Sequence, residues 1–194
     1  TDLRHWIYNV SALLVEWPSG GQVHRGFAKA YERLETTLCD ELASQTDKTL
    51  IFTGHSLGAA LALLAASKVD AAQAYTFGAP RPGTRPFAEA LKSHCRVHRV
   101  VHGHDFVTQL PQHWRFLDER AFVHPGEVVH IHDDGSQIVG DETAIPKPDD
   151  MLRDSLLAMV EWDRLAEPVP ALLHHAPINY VRALKACLER RKLS

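Results

Sequence analysis

The stretch "IFTGHSLGAALALLAA", residues 51–66, decides the fold. A short, β-rich apolar run that reads as a buried strand ends in Gly54-His55-Ser56-Leu57-Gly58, and a run of alanine and leucine with the length and propensity of a buried helix begins at once. A chain that passes from strand to helix with no linker must reverse within a few residues. The residue at the apex, Ser56, is thereby forced toward strained dihedrals. Glycines two places before and two places after it are expected to relieve collisions between the strand and the helix. The apex side chain then stands clear at the carboxyl edge of the sheet. The first helical N–H groups, that of Leu57 foremost, point at whatever is held there. Serine at such a place reads as a presented nucleophile, with the Leu57 N–H as an oxyanion donor.

The flanking sequence continues the alternation of helix and strand. From Arg25, "GFAKAYERLETTLCDELAS" spaces Phe27, Tyr31, Leu34, Leu38 and Leu42 along one apolar helix face. Ahead of it "PSGGQ" (18–22) is a turn, and "HWIYNVSALLVEW" (5–17) is ambiguous between strand and helix. Downstream, "AAQAYTF" (71–77) and "RVHRVV" (96–101) read as strands, with "PFAEALKSH" as a helix between them. Such alternation predicts right-handed crossovers and a parallel sheet. Beyond it, "GEVVHIHDDGSQIVG" reads as a strand pair joined at "DDGS". "DDMLRDSLLAMVEWDRL" and "INYVRALKACLERR" read as helices, with the proline-rich connection "EPVPALLHHAP" between them. The expected fold is one α/β domain over residues 1–194, with a mostly parallel central sheet flanked by helices and an antiparallel edge.

A serine hydroxyl is a weak nucleophile without a base, and the base needs an orienting acid. In hydrolases built on a strand–serine–helix turn the chain order is serine, then acid, then histidine, with the acid after a later parallel strand. Asp105, in "RVVHGHDFVTQLP", meets that requirement, whereas Asp118, Asp133 and Asp134 fall where acids are commonly just solvated. Six histidines follow Asp105: His113, His124, His130, His132, His174 and His175. His130 and His132 share one face of a strand and read as structural or solvent-facing. A base needs a loop that carries its ring across to the serine, and "EPVPALLHHAPINY" offers one, with Pro177 suited to the first position of the last helix. The pair His174/His175 is therefore favoured, and the residues alone do not separate the two.

Composition removes several other classes of function. With 24 acidic and 21 basic residues the formal net charge is −3, and no basic stripe with interleaved aromatics runs through the chain, so nucleic acid is not an expected partner. The basic end "LERRKLS" falls in the last turn of a predicted helix, where cations suit the dipole. Three scattered cysteines, Cys39, Cys95 and Cys187, make neither a disulfide framework nor a CxxC metal pair. "HGH" (102–104), "HIH" (130–132) and "HDDGSQ" invite a metal, but no ligand spacing of a known site is met, so no metal and no cofactor is expected. The longest apolar run, Leu57 to Ala66, is far short of the roughly 20 residues that span a bilayer. No signal peptide is visible; localisation stays open. The chain begins with Thr rather than Met, so it is expected to be processed, trimmed or part of something longer.

Taken together these segments resemble the class 3 lipases, the α/β-hydrolase group that includes the filamentous-fungal triacylglycerol lipases. "VHRGFAKAY" resembles the motif that opens the helix before the nucleophile strand, "TGHSLGAALA" the nucleophile turn, and "YTFGAPRPG" the following strand and turn. "HDFVTQLP" resembles the acid-bearing segment, "FVHPGEVVHI" the strand after it, and "HHAPINYVRAL" the histidine segment, with a tyrosine, Tyr180, five residues after His175. The resemblance thus implies Ser56 as nucleophile, Asp105 as acid and His175 as base. It also implies a carboxylic-ester hydrolase of acylglycerols that needs no cofactor and makes transient contact with a lipid interface. Feruloyl esterases and phospholipases share the framework, a thioesterase or peptidase could use the same three residues, and a degenerate lipid- or protein-binding module is the non-enzymatic alternative. In the family a Gly-Thr or Gly-Ser pair at the end of an earlier strand supplies the second oxyanion donor. The segment resembled here by "TDLRHW" follows that strand, so the chain is expected to lack its N-terminal strand. Trp6, Ile7, Tyr8, Leu13, Leu14, Val15 and Trp17 correspond roughly to the family's lid, the competing reading being an ordinary buried element.

Overall fold

The computed structural model describes residues 13–45, 48–70, 73–111, 120–144 and 170–193. The expected helix in "DDMLRDSLLAMVEWDRL", together with Trp6, Ile7, Tyr8, His113 and Asp118, lies outside them.

β1 (Leu14–Glu16) turns through "PSGGQ" into β2 (Gln22–His24), which runs directly into α1 (Arg25–Ala43). β3 (Ile51–His55) is followed across Ser56 by α2 (Leu57–Ala66), then β4 (Gln73–Phe77), β5 (Gly83–Thr84), α3 (Arg85–Lys92) and β6 (Arg96–His102). A 3₁₀ turn (Phe106–Gln109), β7 (Phe122–Val123), β8 (Glu127–Ile131) and β9 (Gln137–Val139) come next, and α4 (Pro170–His175) and α5 (Pro177–Leu193) end the described chain.

The larger sheet has the order β3-β4-β6-β8-β9. Its first three ladders are parallel, with Ile51 opposite Gln73, Gln73 opposite Arg96 and His98 opposite Glu127; the last, β8 with β9, is antiparallel. This is the parallel sheet with an antiparallel edge that the alternation predicts. A second sheet, β1-β2-β5-β7, is antiparallel throughout. It was not expected as a sheet, because strands of two or three residues carry no readable periodicity.

Apolar side chains cover both faces of the parallel sheet. On one side Val23, Phe27, Tyr31, Leu63, Leu64, Phe87, Leu91 and Val97 form the main core. On the other, Val100 and Ile131 pack against Tyr180 and Ala183 of α5. Trp17, of the segment matched to the family's lid, is buried in the main core, and its Nε1 donates to Ser67 Oγ at 2.7 Å. Lys68 stands 4.8 Å from the Trp17 ring and pairs with Glu35. Within the described part of that segment Trp17 is buried, Leu14 and Val15 are partly buried in β1, and Leu13 is 45 % exposed.

Three local expectations need correction. The apolar stripe of α1 is narrower than predicted: Phe27 and Tyr31 are buried, but Leu34 is half exposed. A 19-residue helix is roughly 28 Å long, whereas five-residue strands reach about 17 Å, so its later turns overrun the sheet. β3 is not the buried strand its composition suggests, for Ile51 is 58 % exposed. Among the described residues it has one strand neighbour, β4, and ends the ladder. The two glycines of the turn are also unequal. A Cβ on Gly54 would come within 2.5 Å of the Gly58 carbonyl carbon and 2.7 Å of the Ala59 nitrogen, while a Cβ on Gly58 would meet nothing within 4 Å. Only the strand side of the turn is closed in, because α2 leaves the apex with Gly58 on its exposed flank.

Gly54→Ala should therefore lower stability by about 1–3 kcal/mol or more, since backbone has to move to admit the methyl. Gly58→Ala should leave stability unchanged or raise it by up to about 1 kcal/mol through helix propensity. Paired urea titrations measure both, and equal losses would contradict the asymmetry.

Candidate active site

Ser56 has φ 57 and ψ −126, and among the described residues it is the only non-glycine with positive φ. Such a backbone costs on the order of 1–3 kcal/mol and persists only where the surroundings hold it. Two constraints do so here. The Ser56 N–H donates to Phe77 O at 3.0 Å, tying the apex to β4, and the Ser56 carbonyl accepts from Ala59 N at 3.0 Å, starting α2. The Leu57 N–H lies in the first turn of α2, where no carbonyl of the same helix can reach it. Ser56 is buried apart from 7 % of its surface.

Asp105 follows β6 after a reversal at Gly103, whose φ of +49 suits glycine. One carboxylate oxygen, Oδ1, accepts from Val107 N at 3.0 Å, and Oδ2 accepts from the Tyr180 hydroxyl at 2.7 Å. His175 ends α4. This helix, with α5 starting at Pro177, replaces the described part of the loop expected from "EPVPALLHHAP"; Pro168 lies outside the described residues. At the start of α5 the proline lacks only an N–H that the first turn leaves unpaired anyway.

The structure brings these three residues together. His175 Nε2 lies 2.9 Å from Ser56 Oγ, and His175 Nδ1 lies 2.9 Å and 3.0 Å from the two Asp105 oxygens. With Nδ1–H donated to the carboxylate, Nε2 is left to accept from the serine hydroxyl. The His175 carbonyl accepts from His55 Nε2 at 2.8 Å, and the two rings stand 4.7 Å apart. Gly78, at φ +58, passes beneath the group: a Cβ there would come 2.7 Å from Asp105 Oδ2 and 3.1 Å from His175 Nδ1. His174, the other candidate base, turns away, its Nδ1 accepting from His104 N at 3.1 Å.

The remaining polar candidates have other partners. His130 Nε2 donates to Gly103 O at 2.8 Å, and Asp134 accepts from Ser136 in the β8–β9 turn. Among the described residues no group of three histidine, cysteine or acidic side chains is arranged to hold a metal ion. No helix among them is long and apolar enough to cross a membrane. Sequence reasoning missed His55, Tyr180 and His102 as neighbours of the site. Tyr180 was legible only through its spacing from His175, and His102 was weighed only as part of "HGH".

Burial shapes the charge states around the site. It pushes the Tyr180 hydroxyl well above its usual range, with Asp105 adding to the effect, so the phenol stays protonated and donates. Burial also holds His55 below the usual histidine range, reinforced by His175. His174 is lowered by burial and then by His102, and His130 by burial. His124 is lowered furthest, by burial and by the neighbouring Arg99 and Arg81.

Comparison with known proteins gives these features a context. The family model described as "Lipase (class 3)" matches residues 1–114. The lipase of Rhizomucor miehei is 30 % identical over 155 residues, covering 72 % of this chain and 41 % of that protein. A secreted mono- and diacylglycerol lipase of Fusarium solani is 33 % identical over 122 residues, covering 57 % and 36 %. Among solved structures, a triacylglycerol lipase whose catalytic centre is formed by a serine-protease triad superposes with a TM-score of 0.65 at 25 % identity, covering 95 % of this chain and 69 % of its own. The chain thus spans about two fifths of the length of the curated relatives it matches. The fold is that of the α/β-hydrolase lipases.

Four histidines held toward the neutral form (His55, His124, His130 and His174) each bind a proton more readily in the unfolded chain. Their contribution to stability is present above the unfolded value of about 6.5 and is lost as pH falls through the lowered folded values. Urea midpoints measured between pH 6.5 and pH 5 should decline as pH falls. His124→Gln should make the decline shallower, and an unchanged slope would remove His124 from the account.

Proposed function

We propose, starting from the fact that this chain belongs to the class 3 lipase family, that it is a serine carboxylic-ester hydrolase acting on acylglycerols, within one α/β-hydrolase domain. The observation that carries the reading is the hydrogen-bonded series from Ser56 Oγ through the His175 ring to Asp105, at 2.9 Å on either side of the imidazole.

Ser56 Oγ attacks the ester carbonyl carbon while His175 Nε2 takes the hydroxyl proton. Asp105 keeps the tautomer that leaves Nε2 free and stabilises the imidazolium that forms. Its carboxylate is held for that task by Tyr180 and the Val107 N–H, both of which donate to it. The negative oxygen of the tetrahedral intermediate is met by the Leu57 N–H in the first turn of α2. His175 then returns its proton to the departing alkoxide, leaving the acyl group on Ser56. Water, deprotonated by the same ring, attacks that ester, and the fatty acid leaves as the serine regains its proton. His174 takes no part, because its ring faces His104.

Contact with a lipid surface belongs to the same proposal. Leu173 and Ile178, two residues before and three after His175, are 43 % and 55 % exposed, so apolar side chains rim the segment that carries the base. Isolated exposed apolar residues are common; one on each side of the base fits an ester that arrives embedded in apolar material.

Hydrolysis of p-nitrophenyl butyrate and palmitate tests the reading. Ser56→Ala and His175→Ala should each lower kcat by roughly 10⁴-fold or more, while His174→Ala stays within about tenfold of the parent chain. Tyr180→Phe, which leaves Asp105 one donor short, should lower kcat with little change in KM. Serine-independent turnover, or equal losses at the two histidines, would overturn the assignment. A folded chain that turns over neither ester would favour a binding module instead.

A further inference from the structure

His102, the last residue of β6, is 1 % exposed and touches three parts of the site. Its backbone N–H donates to the Tyr180 hydroxyl at 3.1 Å, the group that in turn donates to Asp105. Its ring Nδ1 lies 3.1 Å from the carbonyl oxygen of His174, one peptide before His175. Its Nε2 lies 2.8 Å from Asp133 Oδ1 in the β8–β9 turn. A carbonyl has no proton to give, and the Asp133 side chain, 81 % exposed, faces the ring as a solvated carboxylate. Both ring nitrogens therefore oppose acceptors. A neutral imidazole has one donor, and only the imidazolium has two.

We propose that His102 is a positioning residue: as an imidazolium it ties the end of α4 to the β8–β9 turn and so holds His175 in line between Ser56 and Asp105. The proposal rests on the hydrolase reading above. Tyr180 of α5 and His174 of α4 stand edge-on to the His102 ring at 5.5 Å and 5.2 Å, and His104 lies beyond His174. His130 of β8 is close enough for repulsion between the two rings to add to the burial that keeps His130 neutral. His174 is kept neutral in the same way. Asp133 is the one of these neighbours whose carboxylate bonds the ring.

A strut of this kind has a pH signature. When His102 loses its second proton, one of the two ring contacts is lost, and His175 loses part of its alignment. Activity should then fall on the alkaline side, separately from the acid limb on which His175 must be neutral to act as base. Asp133→Asn keeps an acceptor oxygen but removes the charge, so the alkaline limb of kcat/KM should move to lower pH while the acid limb stays in place. His102→Phe should lower kcat by roughly 10- to 100-fold with KM nearly unchanged. His102→Asn keeps a non-titrating donor toward the His174 carbonyl, so it should recover part of kcat and lose the alkaline limb.

The experiment pairs those profiles with ¹⁵N spectra of the histidine rings, which show directly whether one or both nitrogens of His102 carry protons. Two protons at the pH of full activity, together with the shifted profile of Asp133→Asn, are the expected result. A bare ring nitrogen at that pH overturns the proposal, and so does an Asp133→Asn profile that superimposes on that of the parent. Asp133 is exposed, so this variant remains informative if His102→Phe fails to fold. Ser56→Ala distinguishes the two levels: residual turnover there would remove the hydrolase reading, whereas the ring spectra decide the state of His102 independently of turnover.

Discussion

A serine at φ 57 and ψ −126 survives only where its surroundings leave the chain no easier path. Those surroundings are a strand and a helix that meet without a linker: Gly54 lets β3 approach the start of α2, and Phe77 O holds the apex N–H from the neighbouring strand. The strain has a geometrical product. It lifts the hydroxyl out of the sheet and puts it beside the first-turn N–H groups of α2. Everything else in the proposed mechanism is delivered to that point. The parallel ladders β3-β4-β6 set the carboxyl ends of three strands side by side, so the turn after β6 brings Asp105 close to Ser56 although 49 residues separate them (105 − 56).

The proposed base arrives by a different route. His175 belongs to no strand; it sits at the junction of two helices and depends on contacts from β3, β6 and α5. His55 holds its carbonyl, Tyr180 holds the carboxylate it bonds, and His102 bonds the peptide before it. A positioning error of about 1 Å can cost on the order of a hundredfold in rate, so in the proposed mechanism these supports matter as much as the three groups assigned to react. They also explain the concentration of buried histidine and tyrosine beneath the site. Such rings fill space between helices as apolar groups do, and each places a polar atom at a fixed point.

Charge follows burial in the same region. The low-dielectric surroundings hold His55, His130 and His174 toward neutrality and keep the Tyr180 proton in place. Further off, Arg99 is almost fully buried, with Glu142 bonded to its guanidinium, and Arg81 is brought down to about 10 by burial and by Arg99. Arg81 ties the loop after Asp105 by donating to Pro111 O at 2.8 Å and to Gln109 Oε1 at 3.0 Å. That loop is therefore bound back to the turn following β4.

By itself the sequence determined the alternation of strand and helix, the strand–serine–helix turn at Ser56, and the chain order of Ser56, Asp105 and the His174/His175 pair. Each is written in local signals: apolar period, glycine spacing, and the residue that follows a strand. Asp105 was legible because the end of a parallel strand is a local feature with a known place in the sheet. What the tertiary structure decided is whatever depends on residues far apart in the chain meeting face to face. It turned His174 toward His104 and His175 toward Ser56, although adjacent identical residues have no local property that separates them. It left Leu34 and Ile51 exposed despite their apolar pattern, because exposure depends on where neighbouring elements end. It also assembled β5 and β7 into a sheet from fragments too short to carry a period. The physical reason is common to all of these: local propensity acts over a few residues, whereas burial and hydrogen bonding are settled by which distant surfaces the packed chain brings into contact.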